Sequence, residues 1–308
     1  MRALWMSILL GAVAACGCSR SNNTAQVAGP TQESPIRPQP GAMGDPPVGY
    51  VNGGYLGFDR NDYPGDDTMA AMQRAHATFA FTGYWLTTPP GDDTNTWRGK
   101  RALLKQQGWG FLVLANGKLE AEILKAKKTG TSPETLARRD AAVAIAAAKS
   151  EQFPAHTIVF LDQEEGGRLT DPQAAYLLAW TEAVAASDFR PGVYASGQRV
   201  QDDPGVWIDT VQDIRERVKK GGLHEVAIFD TQDECPPAPG CTLQAKPLSA
   251  AGEPDLVAWQ YSQSPRRPAI TKSCAKTYAA DGNCYAPGFP KLFLDMDIAN
   301  SPDPSHGR

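Results

Sequence analysis

The sequence predicts an α/β fold: a (β/α)8-like TIM barrel with five βα units followed by three strands lacking helices. Three observations carry this expectation. Short apolar runs alternate with helical stretches as far as Lys220, eight such runs can be counted, and about 260 of the 308 residues follow the N-terminal segment. Alternation implies parallel strands, eight of them imply closure, and the length is typical of one barrel. A doubly wound open sheet is the rival. It is weakened because no Gly-rich phosphate fingerprint follows the first strand.

Residues 1–15 read as an export signal: Arg2 supplies the positive end, and the apolar stretch that follows is too short to span a membrane as a mature helix. Val13-Ala14-Ala15-Cys16 resembles a bacterial lipobox, which implies lipidation of Cys16. Ordinary secretion is the simpler alternative. Residues 16–48 are poor in large apolar side chains and rich in Pro, Ser, Asn, Gln and Gly, so they cannot offset their ordering entropy and read as a disordered tether. The expected organisation is therefore signal (1–15), tether (16–48), barrel (49–301) and a short tail (302–308), in a protein exported and lipid-anchored in the bacterial cell envelope. Net charge is −4 with no long basic run, which argues against nucleic acid as a partner.

Within the barrel, Tyr55-Leu56-Gly57-Phe58 is a strand ending at Asp59, and Asp66-Asp67 opens a helix to Ala77. Thr78 to Trp85 is the second strand and Trp97 to Gln107 the second helix, stopped by Gly108. Gly110 to Ala115 is the third strand. Ser132-Pro133 then starts an alanine-rich helix to Gln152, with a capping residue and a proline in the first turn. Thr157 to Leu161, running into Asp162 and Glu164, is the fourth strand, apolar as suits burial on both faces. Asp171-Pro172 opens the fourth helix. Pro191 to Ser196 is the fifth strand, and Ile208 to Lys220 the fifth helix, ending in lysines and Gly221-Gly222. Glu225 to Phe229, Leu256 to Ser262 and Leu292 to Asp297 are the last three strands.

Functional groups in such barrels come from the carboxyl ends of different strands. Here those ends carry Asp59, Tyr84, Asp162 and Glu164, Tyr194, Asp230, Gln260 and Tyr261, then Asp295 and Asp297. Asp162 and Glu164 lie two residues apart, with α-carbons about 6 to 7 Å apart along an extended strand. Carboxylates gathered in one pocket cannot all stay charged. Repulsion leaves a neutral acid beside an ionised partner, the division that glycosidic cleavage uses. A single acidic turn would mean nothing; acids at the first, fourth and eighth strands converge if the barrel closes.

The same residues carry a resemblance. Gly57-Phe58-Asp59, Asp162-Gln163-Glu164, Pro191 to Ser196, Trp259-Gln260-Tyr261-Ser262 and the Asp295/Asp297 strand resemble the family-25 glycoside hydrolases, muramidases that cut peptidoglycan. They are similar still more to glycoside-hydrolase-like relatives of unassigned function, known from a mycobacterial cell-wall protein. The resemblance implies a barrel of five βα units and three further strands. It implies Glu164 as general acid/base, and Asp162 as the group orienting the substrate N-acetyl nucleophile. Asp59 and Asp297 (or Asp295) would tune them, and Tyr84, Tyr194 and Gln260 would contact sugar, with Tyr261 and Asp295 as further substrate-side candidates. No cofactor is implied. The muramidases place an acidic motif near the second strand, where Phe81 to Trp85 has none. Glu165 beside Glu164 leaves open which acid faces inward.

The expected partner is a peptidoglycan-like glycan, as substrate or as ligand of an inactive binding barrel, with the membrane reached through the lipid anchor. A third possibility uses Asp59, Asp162, Glu164 and Asp297 as oxygen ligands for a divalent cation. Four cysteines beyond the leader, Cys235, Cys241, Cys274 and Cys284, favour disulfides in an exported chain, most simply Cys235–Cys241 and Cys274–Cys284. Zinc is the competing use, against the spacing.

Overall fold

The computed structural model describes residues 48–74, 78–232, 246–264 and 283–308; Cys16, the leader, the tether up to residue 47, Cys235, Cys241 and Cys274 lie outside the described residues. Strands β2 (Gly54–Asp59), β3 (Phe81–Trp85), β4 (Gly110–Asn116), β5 (Ile158–Asp162), β6 (Arg190–Ser196), β9 (Ala227–Thr231), β10 (Leu256–Ser262) and β13 (Asp295–Ala299) form one sheet that closes on itself through β2 and β3. Helices α1 (Asp66–Arg74), α2 (Arg101–Gln106), α3 (Glu120–Lys128), α4 (Pro133–Ser150), α5 (Asp171–Ala185) and α6 (Thr210–Gly221) cross between the parallel strands. A two-residue β1 (Tyr50–Val51) pairs with β2, and hairpins β7 (Val200–Asp203)–β8 (Val206–Ile208) and β11 (Tyr285–Ala286)–β12 (Phe289–Phe293) stand apart from the barrel sheet. No described helix is long and apolar enough to cross a membrane.

The barrel of five βα units and three helix-poor strands is as the sequence implies, with four differences. The eighth strand begins at Asp295 and runs antiparallel to both β2 and β10. An additional helix, α3, follows β4. The β7–β8 hairpin was not anticipated. The second helix is only α2, because Trp97 to Lys100 form turns: Asn95 Oδ1 accepts the Trp97 N–H at 3.0 Å, and Gly99 has φ +80°.

Local chemistry explains the helix ends. Ser132 Oγ accepts the Thr135 N–H at 3.2 Å, with Pro133 in the first turn of α4. Asp209 Oδ1 accepts the Gln212 N–H at 2.7 Å at the start of α6, and Gly222 closes that helix in the left-handed conformation. Inside the barrel, large and small residues interdigitate. A Cβ on Gly192 would lie 2.5 Å from Phe160, and one on Gly57 would collide with the Phe81 ring. Phe81, Phe160 and Phe229, each at most 1 % exposed, thus fill the middle of the barrel as a dry floor.

Residues 302–308, expected as a tail beyond the barrel, are built into it. Ser305 is 0 % exposed and wedges between the starts of β4 and β5. Its N–H donates to Phe111 O at 2.9 Å, its carbonyl accepts from Ile158 N at 2.9 Å, and its Oγ accepts from Val113 N at 2.8 Å. Arg101 adds a bond to Gly307 O at 2.6 Å. Short polar side chains satisfying backbone groups leave no apolar period for a sequence reading to detect. The wedge fits so closely that a Cβ on Gly110 would meet the Pro302 carbonyl. Gly110→Ala is therefore expected to cost about 2 kcal/mol or more of unfolding free energy, measured by urea denaturation, because backbone rather than a flexible side chain must yield.

Candidate functional site

The carboxyl ends of the parallel strands make one mouth, and antiparallel β13 brings its own first residues to the same end. Asp295 sits opposite Asp59 in register, and Asp297 sits opposite Gln260 and Gly57. Asp59, Asp162, Glu164, Asp295, Tyr194 and Gln260 all line one deep recess of about 50 Å³. Gly83 makes room for Asp59, since a Cβ there would lie 2.5 Å from the Asp59 Cβ. Asp297 is fully buried and lies behind Asp59, so of the two β13 acids Asp295 faces the opening.

A directed chain of hydrogen bonds fixes Asp59. The Tyr194 hydroxyl donates to Gln260 Oε1 at 2.7 Å, and Thr231 Oγ1 donates to the same oxygen at 3.2 Å. The Gln260 Nε2 must then point away, and it donates to Asp59 Oδ2 at 2.8 Å. Neither Asp297 oxygen has an N–H or hydroxyl donor, yet Asp297 hydrogen-bonds the Asp59 carboxyl. Two carboxyls in contact require a proton between them. Burial raises Asp297 well above the carboxylate range, with Asp59 and Asp295 adding repulsion, so Asp297 is the donor of this pair. Burial likewise lifts Asp59 to about 7, opposed by the Gln260 and Asp297 hydrogen bonds.

A second pair forms at β5. Asp162 is 4 % exposed, and burial above all, then the charges of Glu164 and Asp59, raise its pKa far above the ordinary value. It hydrogen-bonds Glu164, which is exposed in the mouth. The aromatic floor is the physical source of both shifts, because it keeps water from solvating the charged forms. Glu164 also borders a cavity of about 700 Å³ on the β3/β4 side and another of about 440 Å³ on the β2/β12 side. The three spaces meet at Glu164, which makes a groove with that carboxyl at its centre.

Glu165 faces away. Its Oε2 accepts the Glu120 N–H at 2.6 Å, at the start of α3, and Gln173 Nε2 at 2.7 Å. This settles which of the adjacent glutamates is presented to the groove. Glu165→Ala should lower unfolding free energy by roughly 1–3 kcal/mol, since two donors lose a charged acceptor, whereas Glu164→Ala should stay within about 0.5 kcal/mol. Urea denaturation of both variants checks the contrast.

Tyr84 is not at the mouth. It is 0 % exposed on the outer face of β3, where its hydroxyl accepts the Arg101 N–H at 3.2 Å and its ring packs on Trp97, Phe111 and Phe153. Its neighbour Trp85 is the residue that lines the recess, its indole N–H donating to Arg60 O at 3.2 Å. Tyr261 likewise packs edge-on against Trp259, facing opposite to Gln260. Asp230 is buried outside the recess, and burial raises it to about 7. Asn61, Leu114, Phe229 and Gln263 complete the recess. Phe229 could have been found by counting back from the strand end; the loop residues Asn61 and Gln263 carry no sequence signal. Among the described residues, no group of three or more His, Cys, Asp or Glu is disposed to hold a metal ion.

Comparison with known proteins now bears on this geometry. The model of the Rv2525c-like, glycoside hydrolase-like domain matches residues 78–236. The chain belongs to this family. No curated protein matches it. Among solved structures, an uncharacterized B. stearothermophilus protein aligns at 17 % identity over 79 % of this chain and 95 % of its own, with a TM-score of 0.50. The Mycobacterium tuberculosis Tat-secreted protein Rv2525c, in complex with L-tartrate, aligns at 13 % over 82 % and 97 %, with a TM-score of 0.44. The bacterial lysozyme from Streptomyces coelicolor aligns at 11 % over 80 % and 92 %, with a TM-score of 0.41. The first of these supports the barrel, and the Rv2525c-like family membership places the glycoside-hydrolase-like domain on β3 through β9.

Proposed function

We propose that this protein is an exported envelope glycoside hydrolase that cleaves N-acetylhexosamine-containing glycan such as peptidoglycan. The observation that carries the reading is the pairing of buried Asp162 with exposed Glu164 at the centre of an open groove. Glu164 protonates the glycosidic oxygen as the bond to the anomeric carbon breaks. The acetamido oxygen of the same sugar closes on that carbon, and the Asp162 carboxylate steadies the cation on the acetamido nitrogen. Water then opens the ring, losing its proton to Glu164.

This sequence needs one proton on Glu164 and none on Asp162. Burial raises Asp162 well above the ordinary carboxylate value, which favours a proton on the buried member of the pair. An acetamido N–H arriving beside Asp162 favours its charged form and moves that proton across a single hydrogen bond. No net uptake or loss is required. Asp59, fixed by Gln260 and Asp297, sets the charge next to Asp162, while Trp85 and Tyr194 line the recess below the groove.

The export signal and lipobox support placement in the envelope, anchored at Cys16. Cys284 is disulfide-bonded, and we assign its partner as Cys274, with Cys235 joined to Cys241; peptide mapping without reductant tests both pairs.

Incubation of purified cell wall with the wild-type protein and with Glu164→Gln tests the reading: reducing ends appear with the first only, and equal release by both would overturn it. A second reading, a barrel that binds glycan without cutting it, is favoured by the burial of Asp162, which disfavours the carboxylate that the cleavage needs. Binding with no release of reducing ends by the wild-type protein would select it.

A further inference from the structure

The cleavage proposed for Glu164 makes no use of Asp230, yet this carboxyl is 0 % exposed. It stands near the end of β9 and points opposite to Phe229 and Thr231, away from the recess. The Gly197 turn that leaves β6 lies directly on it, so that a Cβ at position 197 would collide with Asp230 Oδ1. That oxygen has no hydrogen-bond partner among the described residues. Oδ2 accepts from Gln232 Nε2 at 3.2 Å, and the same amide donates to Ala251 O at 2.8 Å.

The charges that bear on Asp230 are both negative. One is Glu253, just after the 3-10 turn Leu248–Ala251, and the other is Asp209, the buried capping residue of α6. The flanking strands bring no charge, since Ala195 of β6 and Trp259 of β10 stand opposite Asp230 in register. Arg215 pairs with Glu253 at 2.9 Å, and Arg199 acts on that same glutamate. Uncharged, Asp230 suits this pocket; charged, it meets two like charges with one oxygen unfilled. Burial lifts it to about 7, within the range where a small change of pH alters its state.

The turn above Asp230 carries a second element. Three residues after Gly197 the β7–β8 hairpin begins, and it lies against the loop that presents Glu164. A Cβ on Gly167 would come within 3.2 Å of Val200, and Arg168 Nε donates to Asp202 at 2.8 Å. Arg168 also reaches Asp213 of α6 at 3.3 Å, and the Leu169 N–H donates to Asp213 Oδ2 at 2.9 Å. The other end of the loop is held at Gln163, whose N–H donates to Tyr194 O at 2.9 Å. Between these anchors lie Gly166 and Gly167, the second at φ +91°, so the middle of the loop has little stiffness of its own.

We infer that the β7–β8 hairpin is a strap on the Glu164 loop, held down while Asp230 is protonated and released when Asp230 ionises. Only its use as a regulator of the groove rests on the proposed glycan reading; the strap itself needs no glycan chemistry. With the strap lifted, Asp230 is solvated and titrates as an ordinary aspartate, near 4. Protons therefore favour the closed form below pH 7, and its advantage over the open form falls on the order of 10²-fold between pH 5 and 8.

Hydrogen–deuterium exchange of the full-length protein at pH 5 and pH 8, corrected for intrinsic rates, tests it. Protection of residues 197–208 and 164–169, relative to β4, is expected to fall at least tenfold in the wild type. Asp59→Asn, which removes a different buried proton, should show the same fall. Asp230→Asn should keep both segments protected at both pH values. Glu253→Gln, which removes a like charge without touching the turn, should shrink the fall. Equal protection of the wild type at the two pH values, or a fall that survives both Asp230→Asn and Glu253→Gln, would overturn the inference. Reducing-end release is measured separately, so loss of the strap and loss of the glycan reading are told apart.

Discussion

Glu164→Gln is expected to leave the barrel intact and to lower reducing-end release from cell wall by about 10²- to 10⁴-fold, the range for removing a general acid. Glutamine matches glutamate in shape but has no proton to give to a leaving oxygen. Glu164 stands in the open groove and not in the core, so the loss cannot be charged to unfolding. Unchanged melting together with lost turnover is the expected joint result. Asp162→Asn should also abolish turnover, since the amide can neither hand over the proton nor balance a cation. A Glu164→Gln protein that melts normally and digests wall at the wild-type rate would remove Glu164 from the chemistry.

The second large effect concerns stability. An unfolded aspartate titrates near 4, whereas burial lifts Asp59 to about 7 in the folded protein. Between these values the native state keeps a proton that the unfolded chain has released. Stability contributed by this group is therefore fully present below pH 4 and is lost as pH rises through 7. At about 1.4 kcal/mol per unit, the loss reaches roughly 4 kcal/mol by pH 8. Asp297 and Asp162 are shifted in the same direction and add to it. Asparagine at position 59 can still accept from Gln260 and cannot titrate. Asp59→Asn should thus melt above the wild type by a margin that widens from a few degrees at pH 5 to about 8–16 °C at pH 8, given about 2–4 °C per kcal/mol for a domain of this size. Parallel melting curves for the two proteins from pH 5 to 8 would refute the buried proton.

What the sequence reveals and what it hides follow from the same physics. The β5 run from Ile158 to Asp162 is apolar on both faces, so its identity and its acidic end are plain. That very property conceals Tyr84 and Trp85. In a strand buried on both sides, alternation separates two faces without saying which one looks into the barrel. The direction of β13 is hidden too, because Leu292 to Asp297 reads alike whichever way it runs. Asp295 and Asp297 were expected at a strand's far end and stand at its start, yet the reversal brings them to the correct rim. Helix α3 leaves almost no apolar period to read, because Ile123 is its single buried residue amid lysines and glutamates. Asn61 and Gln263 reach the recess from loops, where no period exists to be read.

The reversed strand has an architectural consequence. In an all-parallel barrel every wall of the opening is built by chain that has just left a strand. Here one wall is built by chain about to enter one: the β11–β12 hairpin delivers Phe293 to the rim immediately before β13 begins. That hairpin can lengthen or change its side chains without altering any crossover helix. It is the natural graft point for retuning which partner the opening admits while the acids beneath it stay fixed.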